Sequence, residues 1–417
     1  MDKARELIEK EIKGCFDFFW NESNASDKDA VGYGLTLDIT GKDVCSIASV
    51  GFALASYVIG CERGYISFSE GYERAFKTLE TIKKIEHVHG FMAHFVIQST
   101  GERWRECEFS TIDTCILLMG AIVASEYFGD KVKEITEELI DRTDFEWLVT
   151  ERREKPVFRM AYEKNSHRKG FIEAIWNHFA EQLMMYIIYA GKKDCDEYLA
   201  LKLYNGFERN IGSYKGNNYV YCFNDSLFIH QFSHCFFDFR QYVDRRGFDW
   251  FQNSVNATLA NRQFCIDQTW SKTYNEHSWG LTATQGRDGY FVLGGAPNGY
   301  GSKDCDVRLD GTVSSYGPLS SIVFTPKESI DHLIYINENF PKLFGKYGIT
   351  DSYNLDYEEP YFSDHYLGID KGPTIIMLDN YLNGTVWKYF MQSEVAKKAI
   401  RVLKFQSRDF EYFKIKK

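Results

Sequence analysis

The chain has 417 residues, 44% hydrophobic and 26% charged, a balance that suits a globular protein with a large core and excludes wholesale disorder. Its formal net charge is −10 with no basic tract, which argues against nucleic acid or an anionic membrane as a partner. The ten Cys form no C-x-x-C pair and several fall in apolar runs, and the charged N-terminus has no apolar leader core, so reduced thiols and a cytoplasmic address are expected.

Residues 3–20 predict a first helix, with Leu7, Ile8, Ile12, Cys15, Phe16 and Phe19 on one side. After a polar loop and GYGLTLD (32–38), residues 44–61 are apolar nearly all round and predict a buried helix. An amphipathic helix follows over 69–85. Residues 87–96, HVHGFMAHFV, carry three His at uneven spacing. Ser110 and Asp113 then resemble a capping box opening an apolar helix that runs to 128. A polar helix at 130–142 and a basic loop at 152–169 come next.

Residues 170–191, GFIEAIWNHFAEQLMMYIIYAG, place Phe171, Ala174, Ile175, Phe179, Leu183, Tyr186, Ile187 and Ala190 at helical spacing, which predicts one buried helix with Glu181 inside it. A carboxylate in so apolar a setting is costly unless paired, neutral or facing a wet cavity. Glu181 is therefore either an ion-paired surface group or a general acid with a raised pKa. Nearly apolar helices alternate with polar-faced ones at 44–85, 110–142, 171–205 and 228–265, which fits an inner ring of helices wrapped by an outer one.

From Trp270 the texture changes to long Gly-, Asp- and Tyr-rich loops with a short hairpin. Helices resume at 326–344, followed by an acidic, aromatic loop, an apolar segment at 373–380 and a last amphipathic helix at 392–405. No run approaches 18 uninterrupted apolar residues, so no membrane span is expected.

His230, His234 and Asp238 are spaced i, i+4, i+8, which two metal ligands could share. No Glu adjoins the first His and no further ligand is evident, so hydrogen-bonding His in a polar cavity is the preferred reading, with no metal and no cofactor. Phosphate-binding loops and nucleophile elbows are absent from the sequence. What remains is carboxylates, aromatics (16% of the chain) and polar loops, the equipment of a glycosidase.

The runs SIASVGFALASYVIGCERGYIS (46–67), EFSTIDT (108–114), FIHQFSHCFFDFR (228–240), WGLTAT (279–284), DGTV (310–313) and GIDKGPTIIMLDNYLNGTVW (368–387) resemble the bacterial glycoamylase-like family, including the endo-β-1,2-glucanases of glycoside hydrolase family 144. The resemblance implies an all-α fold, an (α/α)6 toroid occupying residues 1–417 as one domain, acting without metal on β-1,2-linked glucans or sophorooligosaccharides by inversion. The family's W-x-x-Y-x-E matches Trp176 to Glu181, with Phe179 for the Tyr, and makes Glu181 the general acid. Its E-x-S-T-I-D-T matches Glu108 and Asp113, the other two expected catalytic carboxylates. His230, His234, Asp238, Arg240, Trp279, Asp310 and Asp370 lie in the remaining matched runs and join Trp176 as expected substrate-binding residues. Its terminal E-N appears here as Asp379–Asn380. Cyclase-type relatives place a Glu where this chain has Ala283, so a retaining mechanism through that Glu is not expected. Glu108, Asp113, Glu181, His234, Trp279, Asp310 and Asp370 are expected to converge on one cavity. A transglycosylase, a non-catalytic glucan-binding protein and a glucoamylase-like enzyme for another linkage are the alternatives.

Overall fold

The structure, a computed structural model, describes residues 3–222, 225–295 and 308–408. Among these are fourteen α-helices: α1 (Lys3–Asn21), α2 (Ile47–Glu62), α3 (Phe68–Lys84), α4 (Thr111–Phe128), α5 (Asp130–Arg142), α6 (Leu183–Gly191), α7 (Glu197–Tyr204), α8 (Leu227–Phe236), α9 (Trp250–Asp267), α10 (Tyr316–Ser320), α11 (Pro326–Asn339), α12 (Gly368–Leu382), α13 (Thr385–Gln392) and α14 (Glu394–Leu403). Part of the Gly-rich loop, including Cys305, lies outside the described residues.

Capping fixes where several helices begin. The Ser46 hydroxyl accepts from the Ser49 N–H at the start of α2, and Ser110 does the same for Asp113 at the start of α4. Ser67 and Glu70 form a reciprocal capping box on α3. Beyond the caps, burial divides the helices into two kinds. In α2, α4, α6, α8, α10 and α12 most positions are buried, whereas α3 and α5 bury one face only.

The buried helices are neighbours. α2 packs on α4 and α12, α4 on α6, α12 on α10, and α10 on α8. Ser233 of α8 clips the start of α6, accepting from the Met184 N–H at 3.1 Å and donating to the Glu181 carbonyl at 2.8 Å. The α2–α4 contact depends on two glycines. A Cβ on Gly120 would lie 1.9 Å from the Gly51 carbonyl oxygen, so the backbones approach closer than any side chain allows. α4 is long and apolar enough to cross a membrane by composition, but it is 83% buried inside the helical core.

The predicted helix over 170–191 is corrected: only Leu183–Gly191 is helical. Upstream, the chain passes from the strand Lys169–Phe171 through irregular backbone whose polar groups are already taken. The Met160 N–H donates to Ala174 O, Trp176 N–H to Phe158 O, Phe179 N–H to Glu208 O, and Glu208 N–H to Asn177 O. Gln182 then closes a turn, accepting from the Ala180 N–H at 2.7 Å and donating to the His178 carbonyl at 2.6 Å. Trp176 and Phe179 are buried at a three-residue spacing, which mimics a helical period without being one. The basic loop at 152–169 also contains strands, Lys155–Phe158 and Ala161–Lys164. Ala161–Lys164 joins Phe109–Ser110 and Lys169–Phe171 in a three-stranded sheet, with Phe109 opposite Tyr162. That sheet delivers the chain into α4. The predicted hairpin is present as Thr284–Gly286 against Gly289–Phe291.

Candidate active site

A cavity of about 410 Å3 opens among the buried helices, lined by Asp38, Lys42, Ser46, His94, Asp113, Glu181, Phe232, Gln285 and Tyr290 together with the aliphatic side chains around them. Its polar residues arrive from separate places: the loop before α2, the strand segment before α4, the first turn of α4, the turn before α6, and the 284–291 hairpin.

Glu181 sits in that turn rather than mid-helix, partly open to the cavity and otherwise enclosed. Burial pushes its carboxyl up to about 7, a backbone N–H offsets part of the rise, and the charge of Asp113 adds to it. Close to neutrality the group therefore holds a proton it can give away. The Ser233 hydroxyl fixes its carbonyl, so the side chain starts from an anchored backbone.

Asp113 lines the cavity, and Glu108 meets it through His94. The His94 Nδ1 lies 2.7 Å from Glu108 Oε1, and its Nε2 lies 3.6 Å from Asp113 Oδ2. Burial opposes a charge on this ring, but Asp113, then Glu108 and Asp38, outweigh it and raise the imidazole to about 9. The His94 hydrogen bond in turn holds the Glu108 carboxyl below its ordinary value. Asp38, at the end of GYGLTLD, is pushed upward by burial despite its hydrogen bond from Ser46.

Asp370, in the first turn of α12, is fully enclosed beside Asp351 and Tyr316 in a narrow gap that also takes in Lys371. Burial and the adjacent Asp351 charge hold its carboxyl well above the usual range. Asp351 itself accepts from the Thr284 hydroxyl at 2.6 Å and from the Gln285 N–H at 2.5 Å, which ties this pair to the base of the hairpin. Tyr290, on the same hairpin, lines the cavity with its side chain about half exposed.

Of the residues expected from the sequence, Glu181 and Asp113 line the cavity, and Glu108 reaches it through His94. Trp176 is buried behind them, its Nε1 donating to the Thr111 hydroxyl at 3.1 Å. His230 packs against Phe179, and burial alone lowers it to about 3. The expected convergence of seven side chains is corrected for four of them: Asp370 lies in the separate narrow gap described above, and three others are used elsewhere. His234 is a core residue bonded to Ser254 at 3.0 Å, Trp279 is fully buried against His332, and Asp310 pairs with Arg308 and accepts from Tyr357. Asp238 likewise holds Arg240, whose guanidinium stacks on Trp387 at 3.8 Å. Asp379, where the family's terminal Glu would stand, pairs with Arg63 at 2.7 Å on the far end of α2 and α12. The residues missed from sequence are Asp38, His94, Asp351 and Tyr290. A signal existed for His94: three His closely followed by Glu108 and Asp113.

The arrangement combines a proton-holding carboxyl, a second carboxylate compensated by a cation, and the aromatic side chains of Phe95, Phe232 and Tyr290 in one cavity. One group can protonate a leaving oxygen while another accepts a proton from water.

The chain is similar to several known proteins. A curated relative, the exo β-1,2-glucooligosaccharide sophorohydrolase (non-reducing end) of Parabacteroides distasonis, is 24% identical over 95% of this chain, and the chain spans 57% of that protein's length. A crystal structure from Bacteroides uniformis bearing a glucoamylase description superimposes with a TM-score of 0.84 at 25% identity, covering 98% of both chains. The endo-β-1,2-glucanase of Chitinophaga pinensis, solved with sophorotriose and glucose, gives a TM-score of 0.83 at 24% identity over 98% of this chain and 99% of its own, a likeness of fold. The model of the glycoamylase family, described as "Putative glucoamylase", matches residues 173–394, more than half of the chain, and the chain belongs to that family.

Proposed function

We propose that this chain is a glycoside hydrolase that cleaves β-1,2-linked glucans or sophorooligosaccharides with inversion of configuration. Glu181 is the general acid, and Asp113 is the carboxylate that draws a proton from the attacking water. The observation that carries this reading is the pair itself: Glu181, held near 7 by burial, shares one cavity with Asp113. An oxocarbenium-like transition state needs a proton delivered to the leaving oxygen and a negative group near the anomeric carbon, and these two supply both. The half-exposed Tyr290 offers a flat apolar surface with a polar edge, which suits a glucosyl ring. Two of the relatives named above, the sophorohydrolase and the endo-β-1,2-glucanase, are named for action on β-1,2-linked substrates, which supports that linkage.

The six buried helices, which alternate in sequence with α1, α3, α5, α7, α9 and α11, are read as the inner circle of an (α/α)6 toroid that forms one domain. Trp176, His230 and Asp370 are assigned to shaping the substrate site from behind its walls. A cytoplasmic address fits the buried thiols of Cys15, Cys45, Cys115, Cys235 and Cys265, and fractionation of expressing cells checks it.

Activity is tested on a panel of linkage-defined β- and α-glucans, with products resolved by chromatography. Release of sophorose or longer β-1,2-linked oligosaccharides is expected. Cleavage of an α-1,4-glucan alone would replace the substrate assignment with a glucoamylase-like one.

A further inference from the structure

His94 has no place in a two-carboxylate scheme, yet it lines the cavity and touches two of the three expected catalytic carboxylates. Its backbone is pinned on both sides: the His94 N–H donates to the Glu108 carbonyl at 2.9 Å, and its own carbonyl accepts from the Ile47 N–H at 3.1 Å. Its ring stacks on Phe95 with centroids 3.9 Å apart. Glu108 then takes Nδ1, which leaves Nε2 turned toward Asp113. We propose that His94 is a positioning residue, a cation clamped by Glu108 that aims and charge-compensates Asp113 beside Glu181. This rests on the catalytic assignment above and assigns Glu108 to orienting the clamp rather than to the chemistry.

The charges facing the ring come from every side. Asp38 lies on the loop before α2, Glu108 before α4 and Asp113 in its first turn, while Glu181, Lys42 and Tyr290 share the cavity. The ring's elevation to about 9 agrees with a clamp that stays charged throughout the working range. An opposite charge held nearby favours the ionised form of a carboxyl. Removing the cation therefore moves the acidic limb of kcat/KM upward.

Two measurements test this on the full chain. Imidazole 15N NMR should find His94 protonated through pH 8, with the midpoint falling in Glu108→Gln. A wild-type midpoint near 6.5 would overturn the clamp. In His94→Gln the acidic midpoint of kcat/KM should rise, with kcat reduced more than KM is changed. A profile that keeps its acidic midpoint while only the melting temperature falls would make His94 structural and overturn the proposal. If His94→Gln does not fold, the two NMR titrations decide alone. If the wild type cleaves no β-1,2-glucan, the catalytic assignment fails, and the NMR result still separates that failure from one of the clamp.

Discussion

Replacing Glu181 with Gln separates chemistry from stability in one variant. The amide keeps the size of the carboxyl and its capacity for hydrogen bonds but has no proton to transfer. In the folded protein the Glu181 carboxyl is raised from 4.5 to about 7, which amounts to about 3 kcal/mol against its ionised form. The sign follows from linkage: the group costs nothing below pH 4.5, the cost grows as pH rises to 7, and it is constant above that. Glu181→Gln should therefore match the wild type in stability at pH 4 and exceed it by up to about 3 kcal/mol at pH 8. Urea unfolding at the two pH values measures this difference. Turnover of β-1,2-glucooligosaccharides should fall by about 10²–10⁴-fold with KM little changed, the usual worth of a general acid. A variant that is less stable at pH 8 yet keeps near wild-type turnover would refute the reasoning, because it would make Glu181 a structural anion.

His94 should give the opposite pH signature: with its folded value near 9 against 6.5 unfolded, its stabilisation is complete below pH 6.5 and is lost as pH rises through 9. The stability gap between wild type and His94→Gln should thus narrow by up to about 3 kcal/mol across that window, and a constant gap would contradict it. Gly120→Ala places a methyl 1.9 Å from the Gly51 carbonyl and should cost about 2–3 kcal/mol or prevent folding; a neutral effect in thermal unfolding would mean that α2 and α4 are less tightly apposed. Asp370→Asn removes a carboxyl that burial and Asp351 hold well above its usual range, so it should leave stability at pH 8 unchanged or higher. A loss beyond about 1 kcal/mol would show that the carboxylate form is needed.

Much of the helical framework was legible because its signals are local. Ser110 and Asp113 mark the start of α4, and the near-continuous apolar runs of α2 and α4 announce burial on all sides. The segment before Glu181 was misread because its partners are remote. Trp176 and Phe179 have helical spacing, but Phe158, Met160 and Glu208 claim the backbone, and no periodicity reveals that. The expectation of a raised carboxyl at Glu181 does not depend on that helix, since burial raises it in a turn as well. The roles of His94, Asp38 and Asp351 were not legible, because each is defined by a meeting of distant segments. The same holds for the residues that left the site. His234 and Trp279 carry polar atoms, but the fold uses them in the core, His234 against Ser254 and Trp279 against His332.

The central claim is that one acid and one water-activating carboxylate act together in a single displacement. The anomeric configuration of the first product decides it. Proton NMR of a β-1,2-glucooligosaccharide digest, recorded before mutarotation, should show the α-anomer of the new reducing end first. Early appearance of the β-anomer would demand a nucleophile and a covalent intermediate, and would contradict the account.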